Sequence, residues 1–162
     1  MASHRVGLGY DSHRFDTAAT LVLGGVIFPD SPGLSGFSDG DAVAHAVIDA
    51  LLGAASLGDV GSHFPPGQPE WKDADSMELL KRSVALLEDA GWVPGNVDIT
   101  VVCEAPRIGP RAAEIRASLA GTLGIAADAV SIKGKTNETM GWIGRGEGIA
   151  VHAVAMVHPV AQ

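Results

Sequence analysis

The stretch Ser38-Asp39-Gly40-Asp41-Ala42-Val43-Ala44-His45-Ala46-Val47-Ile48-Asp49-Ala50-Leu51-Leu52 sets the class of fold. Its first four residues have capping-box form, and an alanine-rich apolar run follows, so a helix is predicted over 42–57 with Gly58 as its stop. On the N-terminal side, Val6, Leu8 and Tyr10 alternate with Arg5, Gly7 and Gly9, and the apolar run 21–28, which holds Gly24-Gly25, reads as a second strand. On the C-terminal side, Pro65, Pro66, Pro69, Gly61 and Gly67 make 59–73 a mobile surface loop with the makings of a lid. Leu79, Leu80, Val84, Leu86 and Leu87 then recur at helical spacing within 75–90, and Gly91 stands where a C-terminal cap belongs.

Beyond that helix, Val97, Ile99, Val101 and Cys103 alternate with more polar residues and predict a strand. Pro110 opens a third helix with Ile115, Leu119 and Leu123 on one face and Gly124 as its stop. A strand at 130–133, a glycine-rich loop at 134–148 and a final strand at 149–157 complete the chain. The last strand is apolar on both faces, a pattern usual for strands covered on both sides. The order ββ-α-α-β-α-β-β does not alternate strictly, so the reading is an α+β fold: one domain over 1–162, with a mixed β-sheet and helices mainly on one face.

The composition narrows the function. A formal net charge of -8 argues against nucleic-acid or anionic-membrane partners, which reward a basic surface, so an anionic ligand must meet local bases or metal ions. An apolar content of 46% is high enough to suggest buried subunit contacts. Cys103 is the lone cysteine, which excludes an intrachain disulfide and fits a reducing compartment. The start, Met1-Ala2-Ser3-His4-Arg5-Val6-Gly7, has no apolar signal core, and no apolar run reaches spanning length; the reading is cytoplasmic, with no membrane partner.

Several residues carry the means for chemistry. Asp11 and His13 lie two apart at the end of the first strand, so both side chains face the same way. His45 sits among small and apolar residues, where an imidazole needs a partner or a ligand role. Asp41, His45 and Asp49 follow i, i+4, i+8 spacing, so an aspartate of that row could orient His45. The spacing fits either a histidine satisfied by an aspartate or, with Asp11 and His13, a three-ligand site open to substrate, the usual form of catalytic zinc. Lys133-Gly134-Lys135-Thr136 looks like the end of a P-loop, but the position of that motif's first glycine holds Ala129 in a strand. The segment still offers two ammoniums, a hydroxyl and Glu138, an oxygen ligand for Mg²⁺, and fits either a phosphate contact or a solvated turn. The glycines around Arg145 likewise fit either an exposed turn or an anion contact.

In combination, Gly7-Leu8-Gly9-Tyr10-Asp11-Ser12-His13, Ser38-Asp39-Gly40-Asp41 with His45, Gly58-Asp59-Val60-Gly61, Ala105-Pro106-Arg107 and Gly144-Arg145-Gly146-Glu147-Gly148 resemble the 2-C-methyl-D-erythritol 2,4-cyclodiphosphate synthases over nearly the whole chain. The resemblance implies a homotrimer with its sheets facing a central axis, active sites between neighbouring subunits, and a cytidine diphosphate-linked small-molecule substrate. It implies that Asp11, His13 and His45 bind Zn²⁺ and Glu138 binds Mg²⁺ or Mn²⁺. It assigns Cys103, Glu104, Ala105, Pro106, Arg107, Ile108 and Gly109 to the cytidine moiety. Lys135, Thr136 and Asn137 fall near the phosphates, with Thr136, Lys135 and Glu138 in the catalytic set. Ser12, Ser38, Asp59, Val60, Gly61 and the lid residues Phe64, Pro65, Pro66, Gly67 and Gln68 fall near the rest of the substrate. Trp142 and Arg145 occupy further contact positions, Arg145 facing the trimer axis. Phe37 stands where the family usually has histidine, and Lys135-Thr136-Asn137 stands where it often has threonines.

Overall fold

The computed structural model describes residues 4–160; the reading of Met1, Ala2 and Ser3 as lacking a signal core lies outside them. Strands β1 (Arg5–Leu23), β2 (Val26–Leu34), β3 (Trp92–Val102), β4 (Val130–Lys135) and β5 (Gly148–Pro159) form one sheet in the order β2-β1-β5-β3-β4. Only β3 and β4 pair in parallel, so the sheet is mixed as predicted. Helices α1 (Ala42–Ala55), α3 (Ser76–Asp89) and α4 (Ala112–Leu123) contact strands of this sheet, and a short α2 (Val60–His63) and α5 (Gly141–Gly144) lie in the connections.

The apolar run 21–28 is not one strand. Gly24 and Gly25, at φ 59° and 76°, make a two-residue turn with Leu23 opposite Val26, so the run ends β1 and begins β2. Asp11 and His13 consequently sit within a 19-residue strand, not at its end. The helix start also differs. Asp41 itself is the N-cap of α1 and accepts from the Ala44 N–H at 3.0 Å, while Ser38 lies outside the helix and turns toward His45. At the other end Ser56, in the left-handed conformation at φ 62°, stops α1 before Leu57.

Why α1 lies where it does is written in the glycines of β1. A Cβ at Gly7 would stand 2.0 Å from the Ala50 carbonyl oxygen, and one at Gly9 1.8 Å from that of Ala46. The missing side chains let helix backbone rest on strand backbone, and this close approach carries His45 over Asp11. The buried core runs through Leu21, Ile48, Leu51, Leu80, Ile99, Ile115 and Ile149.

The final strand departs from the expectation of cover on both faces. Ile149, Val151, Ala153, Ala155 and Val157 are buried, but Val154 is 42% exposed, and on neighbouring β1 Val6 and Leu8 are exposed at 67% and 68%. The sheet thus has a helix-covered face and an open face with a substantial apolar share. Within the predicted loops, Phe64 is buried and meets Trp71 edge-on at 5.1 Å, and Lys135 belongs to β4. Among the described residues, no helix is long and apolar enough to cross a membrane.

Candidate metal centre and its neighbouring cavity

Asp11 and His13 project from the helix-facing side of β1, and His45 meets them from α1. The Asp11 Oδ2 atom is 2.9 Å from His13 Nε2 and 3.0 Å from His45 Nδ1. These three ligand atoms lie within 4.8 Å of one another, and Asp11, His13 and His45 are the one such cluster found among the described residues.

The ring nitrogens turned away from Asp11 show how this cluster could hold a cation. His13 Nδ1 is 2.6 Å from the Ser35 carbonyl oxygen, which can only accept, so Nδ1 carries the proton and Nε2 presents its lone pair. His45 Nε2 is 2.9 Å from Ser76 Oγ and 3.1 Å from Ser38 Oγ, leaving its Nδ1 to face Asp11. With neutral rings and the proton of His45 on Nε2, two lone pairs and a carboxylate oxygen converge with no hydrogen among them. A metal ion completes the set; without one, a proton must. Accordingly the hydrogen bond with Asp11 raises the His13 pKa despite burial. Burial opposes ionisation of Asp11, but His13 and His45 outweigh it and hold the carboxyl below its ordinary range.

The aspartates expected to orient His45 do not touch it. Asp41 spends both oxygens on backbone N–H groups, from Ala44 and Gly24 to Oδ1 and from Gly25 to Oδ2. Asp49 accepts from the Val60 N–H at 2.7 Å and so anchors the start of α2. The groups behind His45 are instead Ser38 and Ser76, with Asp39 accepting from both the hydroxyl and the N–H of Ser76. Sequence reasoning missed Ser76 and Asp39 in this role, since they meet across 37 positions of chain.

A second feature opens past the ends of β3 and β4. Cys103, Glu104, Pro106, Arg107, Ile108, Gly109, Pro110, Gly134, Lys135 and Thr136 line a cavity of about 290 Å³. Cys103 lends a wall and no nucleophile: burial, then the charge of Glu104, pushes its thiol up to about 11. Glu104 has a further task, accepting the N–H groups of Asn137 at 3.0 Å and Thr139 at 3.2 Å. That grip holds a loop in which Glu138 and Thr139 both adopt left-handed conformations, φ 51° and 61°. There Thr136 Oγ1 donates to Glu138 Oε1 at 3.2 Å.

Across the sheet, Ser12 pairs with Ala150, Ala150 with Val102, and Val102 with Lys135. Three strand spacings therefore separate Ser12 from Lys135, roughly 14 Å. Of the remaining residues assigned from the sequence, Phe37 is 38% exposed and its carbonyl accepts the Asp73 N–H. Asp59 caps α2 through the Ser62 N–H, with Val60 and Gly61 in that helix. Phe64 follows it, buried, and Pro65, Pro66, Gly67 and Gln68 run on toward Trp71. Trp142 lines a small pocket with Ser12, His13, Arg14 and Glu147, and Arg145 pairs with Glu147 at 2.7 Å near the surface.

An α+β fold with a nitrogen-oxygen cluster able to hold a metal ion and a mainly apolar cavity past its strand ends fits a small-molecule enzyme, and comparison with known proteins narrows the class. Residues 4–158 match the model of the YgbB family. The 2-C-methyl-D-erythritol 2,4-cyclodiphosphate synthase of Xanthomonas oryzae pv. oryzae is 50% identical over 157 residues, 97% of this chain and 96% of that protein. The Plasmodium falciparum IspF structure, a CDP complex, superposes with a TM-score of 0.86 at 32% identity, covering 99% of each chain. The bifunctional IspDF of Campylobacter jejuni superposes with a TM-score of 0.95 at 35% identity over 99% of this chain, which spans 43% of that larger protein. The chain belongs to the YgbB family, that of the 2-C-methyl-D-erythritol 2,4-cyclodiphosphate synthases.

Proposed function

We infer that this chain converts 4-diphosphocytidyl-2-C-methyl-D-erythritol 2-phosphate to 2-C-methyl-D-erythritol 2,4-cyclodiphosphate and CMP, a phosphorus-oxygen lyase step of non-mevalonate isoprenoid biosynthesis. Besides family membership, the observation that carries the reading is the convergence of Asp11, His13 and His45 with bare ligand atoms. An oxygen of the 2-phosphate attacks the β-phosphorus as the bond to the α-phosphate oxygen breaks, and CMP leaves with that electron pair. A phosphate monoester, with a second pKa of about 6, is already largely dianionic near neutral pH, so the nucleophile needs placement and charge relief more than a base.

The chain's own residues divide that work. Asp11, His13 and His45 would hold Zn²⁺, the ion suited to two imidazoles, a carboxylate and an open position, and Glu138 would hold Mg²⁺ or Mn²⁺. Bound there, the two cations would supply positive charge to the diphosphate. The cavity from Cys103 to Gly109 receives the cytidine moiety, with Lys135, Thr136 and Asn137 near its phosphates. The loop from Asp59 through Phe64 to Gln68 meets the methylerythritol part and acts as a lid that excludes competing water. Trp142 and Arg145 make further contacts.

The assembly we propose is a homotrimer with sheets facing its axis and sites between neighbours. The apolar Val6, Leu8 and Val154 on the open face support it, as does the distance across the sheet between Ser12 and Lys135. We read the protein as one domain acting in the cytoplasm. The deciding experiment is phosphorus NMR of purified protein with substrate, Zn²⁺ and Mg²⁺. Cyclic diphosphate with CMP supports the reading, whereas an open-chain hydrolysis product would make the protein a hydrolase instead.

Two substitutions test parts of this scheme. Glu138→Ala is expected to keep zinc while raising the Mg²⁺ concentration needed for half-maximal rate, because it removes an oxygen ligand. An unchanged Mg²⁺ titration would leave Glu138 as a turn residue. Phe37→His is expected to change kcat by less than about tenfold, since an ionised phosphate nucleophile gains little from an added imidazole. A gain nearer the 10²–10⁴-fold typical of general bases, at equal zinc occupancy, would mean that the imidazole takes part in the chemistry.

A further inference from the structure

The hydrogen bonds behind His45 form a chain whose direction is fixed. The Asp39 carboxylate already accepts the N–H of Asp41 on Oδ1 and the N–H of Ser76 on Oδ2, both at 3.0 Å. It is the acceptor again toward the Ser76 hydroxyl, its closest partner. A hydroxyl has one proton, and Ser76 gives it to Asp39; toward His45 Nε2, 2.9 Å away, Ser76 Oγ can therefore only accept. Ser76 thereby favours the proton of a neutral His45 ring on Nε2, which leaves the lone pair on Nδ1 for a metal ion; without an ion the Asp11 carboxylate, 3.0 Å from Nδ1, pulls that proton the other way. Ser76 is fully buried, so water does not replace it at this contact.

We propose that Ser76, backed by Asp39, is a positioning residue that holds His45 in the Nε2–H tautomer and thereby sets the affinity of the Asp11-His13-His45 site for its metal ion. The proposal rests on the reading of that triad as a zinc site. Ser38 is the other hydroxyl at Nε2, at 3.1 Å. Among the described residues its hydroxyl meets no carboxylate: its neighbours are His45, the Gly40 N–H at 3.5 Å and the Ser76 hydroxyl at 3.4 Å. A hydroxyl free to rotate can donate to Nε2 as readily as accept from it, and so does not choose a tautomer.

The tertiary structure brings Ser76 here through two backbone bonds between segments far apart in sequence. The Asp73 N–H donates to Phe37 O at 2.9 Å, and the Asp39 N–H donates to Ala74 O at 3.1 Å. Together they seat the first turn of α3 against the entry to α1. The end of the lid loop and the metal ligand are therefore held by the same few residues.

The test compares Ser76→Ala, Ser76→Thr and Ser38→Ala by two measurements on the purified protein. Zinc affinity, read by competition with a chromogenic chelator, is expected to fall about tenfold to a hundredfold in Ser76→Ala, the range usual for loss of a ligand's outer partner. Ser76→Thr keeps the hydroxyl and should stay within about threefold of wild type, and Ser38→Ala should lose clearly less than Ser76→Ala. In zinc-free Asp11→Ala protein at pH 8, with the competing carboxylate at Nδ1 removed, long-range proton–nitrogen NMR of the imidazoles should show His45 as the Nε2–H tautomer, and Asp11→Ala/Ser76→Ala should show a tautomer mixture. Equal zinc affinity in Ser76→Ala and wild type, or an Nδ1–H tautomer in Asp11→Ala, overturns the proposal. If wild type binds no zinc, the metal reading fails by itself, and the tautomer spectra still decide what Ser76 does.

Discussion

His45→Ala is expected to purify without zinc and to lose about three orders of magnitude or more in kcat, which corresponds to about 4 kcal/mol of barrier. The loss is large because the substitution removes one of three convergent ligands and leaves Asp11 and His13 too few to hold the ion against water and buffer. The charge that relieves phosphate repulsion goes with it, and such charge is worth several kcal/mol in a transition state. Asp11 would keep its 2.9 Å contact with His13, so the fold around β1 should survive, as circular dichroism can verify. Wild-type zinc content in the variant, by elemental analysis after dialysis, would sink the assignment of the triad.

The second large effect concerns stability. Asp41 is fully buried and bonds three backbone N–H groups, capping α1 at Ala44 and holding both glycines of the β1–β2 turn. Asp41→Ala removes the cap, worth about 1 kcal/mol, and strands two more donors at about 1–3 kcal/mol each if water does not reach them. A loss of about 3–7 kcal/mol is expected from denaturant unfolding, and a loss below about 1 kcal/mol would show that the turn relaxes to water. Burial pushes the Asp41 carboxyl up to about 6 against the pull of its N–H donors. A group raised in this way contributes stability that is fully present below its unfolded pKa of about 3.9 and is lost as pH rises through the folded value. The stability of wild type relative to Asp41→Asn should therefore fall between pH 4 and pH 7.

How far the site could be read in advance depended on the span of chain each contact crosses. Asp11 and His13 share a strand face, and the isolation of His45 in an apolar helix called for a partner, so the triad was legible locally. Asp49 turned to the Val60 N–H instead of His45, and the error over Asp41 arose from applying i, i+4 spacing at the helix start. Asp41 is the cap, outside the regular turns, and its side chain folds back onto N–H groups instead of running along the helix. The β1–β2 turn was missed although Gly24-Gly25 supplied its signal, because hydrophobic continuity across 21–28 outweighed a two-residue turn in the reading. The cap assignment to Ser38 hid a different task, its contact with His45.

By itself, then, the sequence determined the three long helices, most strands and the family. Each follows from periodicity, turn chemistry or a motif carried within a few residues. The order β2-β1-β5-β3-β4, the open apolar face, the grip of Glu104 on the loop at Asn137–Thr139, and the Asp39-Ser76-His45 chain were decided only by tertiary structure. Strand neighbours and buried polar partners are selected by packing that joins positions dozens of residues apart, and no local propensity encodes which distant hydroxyl a buried imidazole will meet.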